Sequence, residues 1–172
     1  IANGEQPILP AYSAVIFDEG HKIMLPAAMQ AGDIINKDDM NAFVSRVEEI
    51  QGARDSFVSG ALLIEQAISR FFDILEKSII PSESVNRQAI RLNATLLKVA
   101  EYLCKVLEHM MVELQIEQEL YTESLTETQM LAYESQLERG IRALKRFCKN
   151  KGIDVIAWVD KKEGSFVVVP RN

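Results

Sequence analysis

Two acids and a histidine directly follow the most strand-like apolar run of the sequence. They are Asp18, Glu19 and His21, and the run AVIFD that leads into them has the branched and aromatic side chains typical of a buried strand. In doubly wound sheets, ligands bind at the carboxyl ends of the strands. In nucleotide hydrolases an acid at that position holds Mg²⁺. Asp18 is therefore a candidate Mg²⁺ ligand, Glu19 a candidate base for an attacking water, and His21 a candidate sensor of the γ-phosphate.

The same residues also have a purely structural interpretation. Asp18 and Glu19 precede a predicted helix that begins near His21, and negative charge is favoured at a helix start. On this interpretation the chain is a non-enzymatic helical interaction module, whose leftover apolar helix faces bind other proteins. The three residues alone leave both interpretations open.

A longer string carries a family resemblance. The stretch ILPAYSAVIFDEGHKI and the following AAMQAG resemble motif II of the DinG and XPD branch of superfamily-two DNA helicases, with Gly20 in place of the usual alanine. The resemblance covers roughly the first 32 residues. It implies an ATP-dependent helicase that acts on single-stranded or forked DNA. It also implies ATP and Mg²⁺ as cofactors of the full-length protein, with Asp18 and Glu19 binding Mg-ATP and with Glu19 and His21 catalytic.

The resemblance also implies a domain organisation, because these helicases insert a mostly helical arch domain after motif II. Residues 1–32 would be a motor-domain segment with the motif II strand, residues 33–152 an arch-like domain, and residues 153–172 a β-hairpin that returns to the motor domain. The chain begins with Ile1 rather than a methionine, and we expect it to be a segment of a larger fold. The expected fold is mainly α, a bundle of long helices flanked by short strands of an α/β motor domain.

The sequence contains no phosphate-binding loop of the form G-x-x-x-x-G-K followed by Ser or Thr. The arginine-bearing motifs of a second motor domain are also missing from these residues. We therefore expect the isolated segment to fold, because its helices can bury their own apolar stripes, but not to hydrolyse ATP.

Apolar residues at spacings of three and four predict four helices after residue 32. The first is capped by Asn36 and ends at Gly52, the second covers about 54–79, and the third covers about 85–121. The fourth begins near Thr126. Two apolar runs around KKEG then predict a β-hairpin.

Basic residues recur on one face of the fourth predicted helix. The resemblance implies that the arch flanks the path of single-stranded DNA, where such residues would neutralise phosphates. The alternative is a solvated face stabilised by the helix dipole. The candidate nucleic-acid contacts are Arg142, Lys145, Arg146 and Lys149.

The composition limits the remaining possibilities. A formal net charge of −6 argues against a protein that coats nucleic acid through its overall charge, and no apolar run approaches the roughly 20 residues of a membrane span. The chain has only two cysteines, Cys104 and Cys148, which fits a reducing cytoplasm. Both lie among apolar residues, so we expect them in the core. Two cysteines cannot complete a four-cysteine cluster, so we expect no iron–sulfur cluster in this segment and leave that of the full-length protein open. His109 has no partner histidine at helical spacing and is predicted to be structural or exposed. The acidic stretch VELQIEQELYTESLTE is predicted to be a solvated helix end and loop.

Overall fold

The computed structural model describes residues 32–83, 86–120 and 125–171. Contacts divide the chain into two units, residues 1–32 and 33–172, and the described helices and strands belong to the second. The predicted strand AVIFD and the residues Asp18, Glu19 and His21 lie outside the described residues.

Four helices form most of the second unit. Helix α1 covers Lys37–Glu48, α2 covers Asp55–Lys77, α3 covers Ala94–Leu120 and α4 covers Glu127–Cys148. None of these described helices has the length and apolar character needed to cross a membrane.

Side-chain caps explain where three of the helices begin. Asn36 Oδ1 accepts a hydrogen bond from the Asp39 backbone at 2.9 Å, which confirms the predicted cap of α1. Thr126 and Gln129 form a reciprocal capping box at the start of α4, as its predicted start near Thr126 requires. Asn93 accepts from the Leu96 backbone at 2.8 Å and marks the start of α3.

The start of α3 corrects the predicted range of 85–121. Residues Arg87–Ala89 form strand β2, which pairs with a strand late in the chain. Pairing with the distant strand satisfies the backbone hydrogen-bonding groups of residues 87–89. The helix therefore begins only after the Asn93 cap, later than the apolar periodicity indicates. The observed 27-residue helix is about 40 Å long, rather than the roughly 50 Å that the predicted range would give.

A four-stranded antiparallel sheet completes the unit. Its order is β1-β4-β3-β2, where β1 is Asp33–Asn36, β3 is Val155–Asp160 and β4 is Ser165–Pro170. The β3–β4 hairpin around KKEG is confirmed, with Asp160 opposite Ser165. Both central strands thus come from the hairpin, and both edge strands come from the segment between residues 33 and 90. The prediction of a mainly α fold with long bundled helices and short strands is confirmed.

Neighbouring helices in the bundle run antiparallel. Arg54 near the start of α2 contacts Glu117 near the end of α3, while Ser78 after α2 contacts Asn93 before α3. Helix α1 meets α4 through an edge-to-face contact of Phe43 with Tyr133, whose ring centroids lie 5.0 Å apart.

Phe166 packs the sheet against the helices. Its ring is fully buried, 5.2 Å from the Phe71 ring of α2 and 5.0 Å from the Phe147 ring of α4, with edge-to-face geometry in both contacts. On the same face of the sheet, the side chains of Ile35 and Val168 are also buried in the core. The helices and the sheet therefore share one hydrophobic core.

We expect Phe166→Ala to lower the free energy of unfolding by about 3–5 kcal/mol, because it leaves a cavity between two helices and the sheet. Leu131→Ala is the control: Leu131 is 60% exposed on α4, and its truncation should cost less than about 0.5 kcal/mol. Urea denaturation of the two variants and the parent measures both values. Equal losses in the two variants would show that Phe166 does not join sheet and bundle.

Candidate functional site

The described residues include the predicted nucleic-acid contacts but not the predicted ATP site. Asp18, Glu19 and His21 lie outside the described ranges, so their geometry is not described. Within the described ranges there is no group of three or more histidine, cysteine, aspartate or glutamate side chains that could hold a metal ion.

Two of the predicted contacts bind a buried carboxylate of their own unit. Arg142 Nε donates to Asp33 Oδ1 at 2.8 Å, and Arg146 Nη1 lies 3.2 Å from Asp33 Oδ2 without the alignment of a hydrogen bond. The Asp33 side chain is only 6% exposed, whereas the two arginines remain 49% and 40% exposed. A buried carboxylate needs such partners, since an unpaired charge is costly to remove from water.

Lys145 and Lys149 differ in how their charges are used. Lys145 Nζ lies 2.9 Å from Glu108 Oε2 on the surface, and the Glu108 carboxylate raises the pKa of Lys145. Lys149 is the exposed C-cap residue of α4 and forms no ion pair within residues 32–83, 86–120 and 125–171. Three of the four predicted contacts thus already have a carboxylate partner, and their role in nucleic-acid binding stays a prediction.

The two cysteines pack between α3 and α4. Cys104 Sγ lies 4.0 Å from the Ile141 carbonyl oxygen, and Cys148 Sγ lies 4.0 Å from the Leu97 carbonyl oxygen. Burial raises the pKa of Cys104 and raises that of Cys148 to about 12. Because the thiolate is the form that binds metals and attacks substrates, these two thiols fit the predicted packing role.

A buried polar cluster lies where the end of α3 meets the start of α2, and it was not predicted. Arg54 Nε donates to Glu117 Oε1 at 3.1 Å, and its Nη2 lies 3.0 Å from Glu113 Oε1. The Glu117 side chain is 0% exposed. The prediction that this acidic stretch is a solvated helix end is therefore wrong for these two glutamates, which tie the end of α3 to the start of α2. Their spacing of four residues on the apolar side of α3 was the available signal.

Hydrogen bonding sets the charge state of Glu113. Ser56 Oγ donates to Glu113 Oε1 at 2.8 Å, and this bond, with a smaller contribution from Arg54, lowers the pKa of Glu113 against the opposing effect of burial. His109 is exposed, and its Nε2 lies 3.9 Å from Glu113 Oε2, as expected for a structural or exposed histidine.

The chain is similar to part of a curated protein. It is 30% identical over 174 residues to the probable ATP-dependent helicase YpvA of Bacillus subtilis (strain 168), an alignment that covers 98% of this chain. The chain spans about a quarter of the length of that curated relative, 26%. No protein-family model matches the chain, and no solved structure matches it. The similarity relates nearly the whole chain, including its helical unit, to part of a protein named as a helicase.

We expect Asp33→Asn to lower the free energy of unfolding by about 1–2 kcal/mol, since it removes the charge that Arg142 and Arg146 bind while both arginines stay partly solvated. In a double-mutant cycle by urea denaturation, Asp33→Asn and Arg142→Gln should couple by about 1 kcal/mol. Asp73→Asn, at an exposed position of α2, is the control and should change stability little. Strictly additive effects of Asp33→Asn and Arg142→Gln would contradict the ion pair.

The lowered pKa of Glu113 predicts a specific pH dependence. The stability that this carboxylate contributes is fully present above its ordinary value of 4.5 and is lost as the pH falls through the lowered pKa. Ser56→Ala removes the main cause of the shift, so the variant should be less stable at neutral pH but lose less stability on acidification. Urea denaturation at several values between pH 7 and about pH 3 measures this. Ser59→Ala, exposed on the same helix, should follow the parent, and parallel curves for Ser56→Ala and the parent would refute the assignment.

Proposed function

We propose that this chain is a segment of an ATP-dependent DNA helicase of the DinG and XPD type. The observation that carries the proposal is the similarity to a probable ATP-dependent helicase across 98% of the chain, together with the string DEGH at residues 18–21. In this proposal residues 1–32 carry motif II and the helical unit that follows is the arch insertion. The full-length protein uses ATP and acts on single-stranded or forked DNA.

The chemistry of the proposed site follows from its donor set. Carboxylate oxygens are ligands that Mg²⁺ prefers, so Asp18 fits the role of metal ligand. A metal ion held by Asp18 would supply positive charge against the β- and γ-phosphates of ATP. Glu19 would orient the attacking water and accept a proton from it, and His21 would sense the γ-phosphate.

The helical unit serves in this proposal as a rigid wall beside the single-stranded DNA path. Its core supports that role, because Phe166 packs the sheet against two helices and a close-packed core resists deformation. The proposed contacts are Arg142, Lys145 and Arg146 on α4 and Lys149 at its C-cap. We place the protein in the cytoplasm, since two unpaired thiols fit a reducing compartment.

Glu19→Gln in the full-length protein tests the catalytic assignment. The amide cannot accept a proton from water, so we expect ATP turnover to fall by at least about a hundredfold while nucleotide binding is largely kept. ATP hydrolysis and the binding of a fluorescent ATP analogue are measured in parallel. Glu65→Gln makes the same chemical change at an exposed position of α2 and should retain full turnover.

Full turnover in Glu19→Gln would remove Glu19 from the chemistry. Absence of ATP hydrolysis from the wild-type full-length protein would leave the non-enzymatic interaction module as the function that fits the chain.

A further inference from the structure

Three segments of the described unit meet at one end of the helix bundle, which we call the basic end: residues 77–78, 91–93 and 149–154. The Arg91 backbone donates to the Ser78 carbonyl at 2.8 Å, and Asn93 Nδ2 donates to Ser78 Oγ at 2.9 Å. A Cβ at Gly152 would lie 3.1 Å from the methyl groups of Leu92, which brings the third segment against the second. These contacts join the end of α2, the start of α3 and the turn after α4.

The basic end carries cations that have no partner in the described part of the chain. Lys77, Arg91, Lys149 and Lys151 are exposed, and none forms an ion pair within residues 32–83, 86–120 and 125–171. Asp154 is the acid within these segments, and it accepts a hydrogen bond from the side chain of Asn150. Just before the first segment, Glu76 is neutralised by Lys161 at 3.1 Å. Positive charge therefore dominates these three segments.

The opposite end of the bundle, which we call the acidic end, has the reverse balance. Residues 46–56, 113–120 and 125–127 contain seven acids and two arginines. Arg54 is bound by Glu113 and Glu117, and Arg46 lies over the Tyr133 ring at 5.9 Å from its centroid. Helix α3 separates the two ends by about 40 Å, several times the Debye length of about 8 Å at physiological salt. The overall charge of −6 therefore does not describe the basic end.

The start of β1 and the residue that follows β4 also lie close to the basic end. Arg171, which follows β4, donates from its backbone to the Asp154 carbonyl at 2.8 Å and from Nε to the Ile153 carbonyl at 3.1 Å. The first residue of β1, Asp33, lies opposite Val168 in the last part of β4. The start of β1, the residue after β4 and the cations of the basic end thus share one side of the unit.

We infer that the basic end binds the phosphodiester backbone of single-stranded nucleic acid through Lys77, Arg91, Lys149 and Lys151. The inference rests on the proposed function, and it locates the phosphate contacts mainly outside the α4 face. Arg142, Arg146 and Lys145 share their charge with Asp33 or Glu108, which weakens their attraction for a phosphate, whereas the four cations of the basic end have no carboxylate partner within the described residues. The three segments contain no aromatic residue for stacking, so the contact is to phosphates and has no base preference.

The test uses the full-length protein with the four changes Lys77→Gln, Arg91→Gln, Lys149→Gln and Lys151→Asn. Asparagine is chosen at Lys151 because it tolerates the positive φ of 55° at that position. Binding to a fluorescein-labelled oligothymidylate is followed by fluorescence anisotropy at several salt concentrations. The matched control removes the same charge from exposed positions elsewhere, with glutamine at Arg70, Lys105, Arg139 and Lys162.

We expect the basic-end variant to bind at least about tenfold more weakly at low salt. The slope of log affinity against log salt should fall by about 0.7 for each phosphate that the variant no longer neutralises, because fewer counterions are released. The control variant should keep the affinity and slope of the wild type, and thermal melting checks that both variants are folded. An oligoadenylate should give the same differences as the oligothymidylate.

Each other outcome overturns the inference. Equal losses in both variants would indicate a general charge effect, and wild-type binding by the basic-end variant would exclude these four residues. If the basic-end variant lost binding to polyglutamate but kept binding to oligothymidylate, the basic end would be a binding surface for an acidic protein. ATP hydrolysis distinguishes failure of this inference from failure of the proposed function. If the wild-type protein hydrolyses ATP and binds DNA, the proposed function stands even if the basic end plays no part.

Discussion

The burial of Phe166 between Phe71 and Phe147 is the contact on which the rest of the described unit depends. An isolated two-stranded hairpin is at best marginally stable in water, and the edge strands β1 and β2 have only four and three residues. The sheet persists because one of its faces is part of the helical core. Since Asp33 is the first residue of β1, the same packing also positions the carboxylate that Arg142 and Arg146 bind.

Two groups of charged residues in this unit have different physical roles. Asp33, Glu113 and Glu117 are buried and bound by arginines, so they join elements that are far apart in the sequence. The arginines that bind these carboxylates are partly neutralised, so they contribute less to the electrostatic potential outside the protein. The exposed cations of the basic end have no carboxylate partner within the described ranges, and their charge is directed to solvent. Pairing, rather than the number of basic residues on a helix face, therefore distinguishes a structural charge from one that can bind a ligand.

Much of the fold could be predicted from the sequence because the signals were local. The Asn36 cap, the start of α4 near Thr126 and the hairpin around KKEG each depend on neighbouring residues. Strands β1 and β2 could not be predicted in this way, because DIIN and RQA are too short to show a period and are stabilised by pairing with residues more than 60 positions away. The partners of Arg142 and Arg54 were missed for the same reason, since no local pattern brings Asp33 to α4 or Glu117 to the start of α2.

The helix bundle also gives the charge distribution a direction. Helix α3 is long enough to hold the acidic and basic ends about 40 Å apart, so that each presents its own field to a ligand. A polyanion is repelled by the acidic end and attracted by the other, which orients it before any contact forms. The start of β1 and the residue after β4 lie near the basic end, so an attracted strand would lie beside both. A helical unit whose cations were spread evenly along α4 would offer no such orientation. The polarity of the bundle is therefore a stronger reason than its basic helix face to associate the helical unit with a nucleic-acid strand.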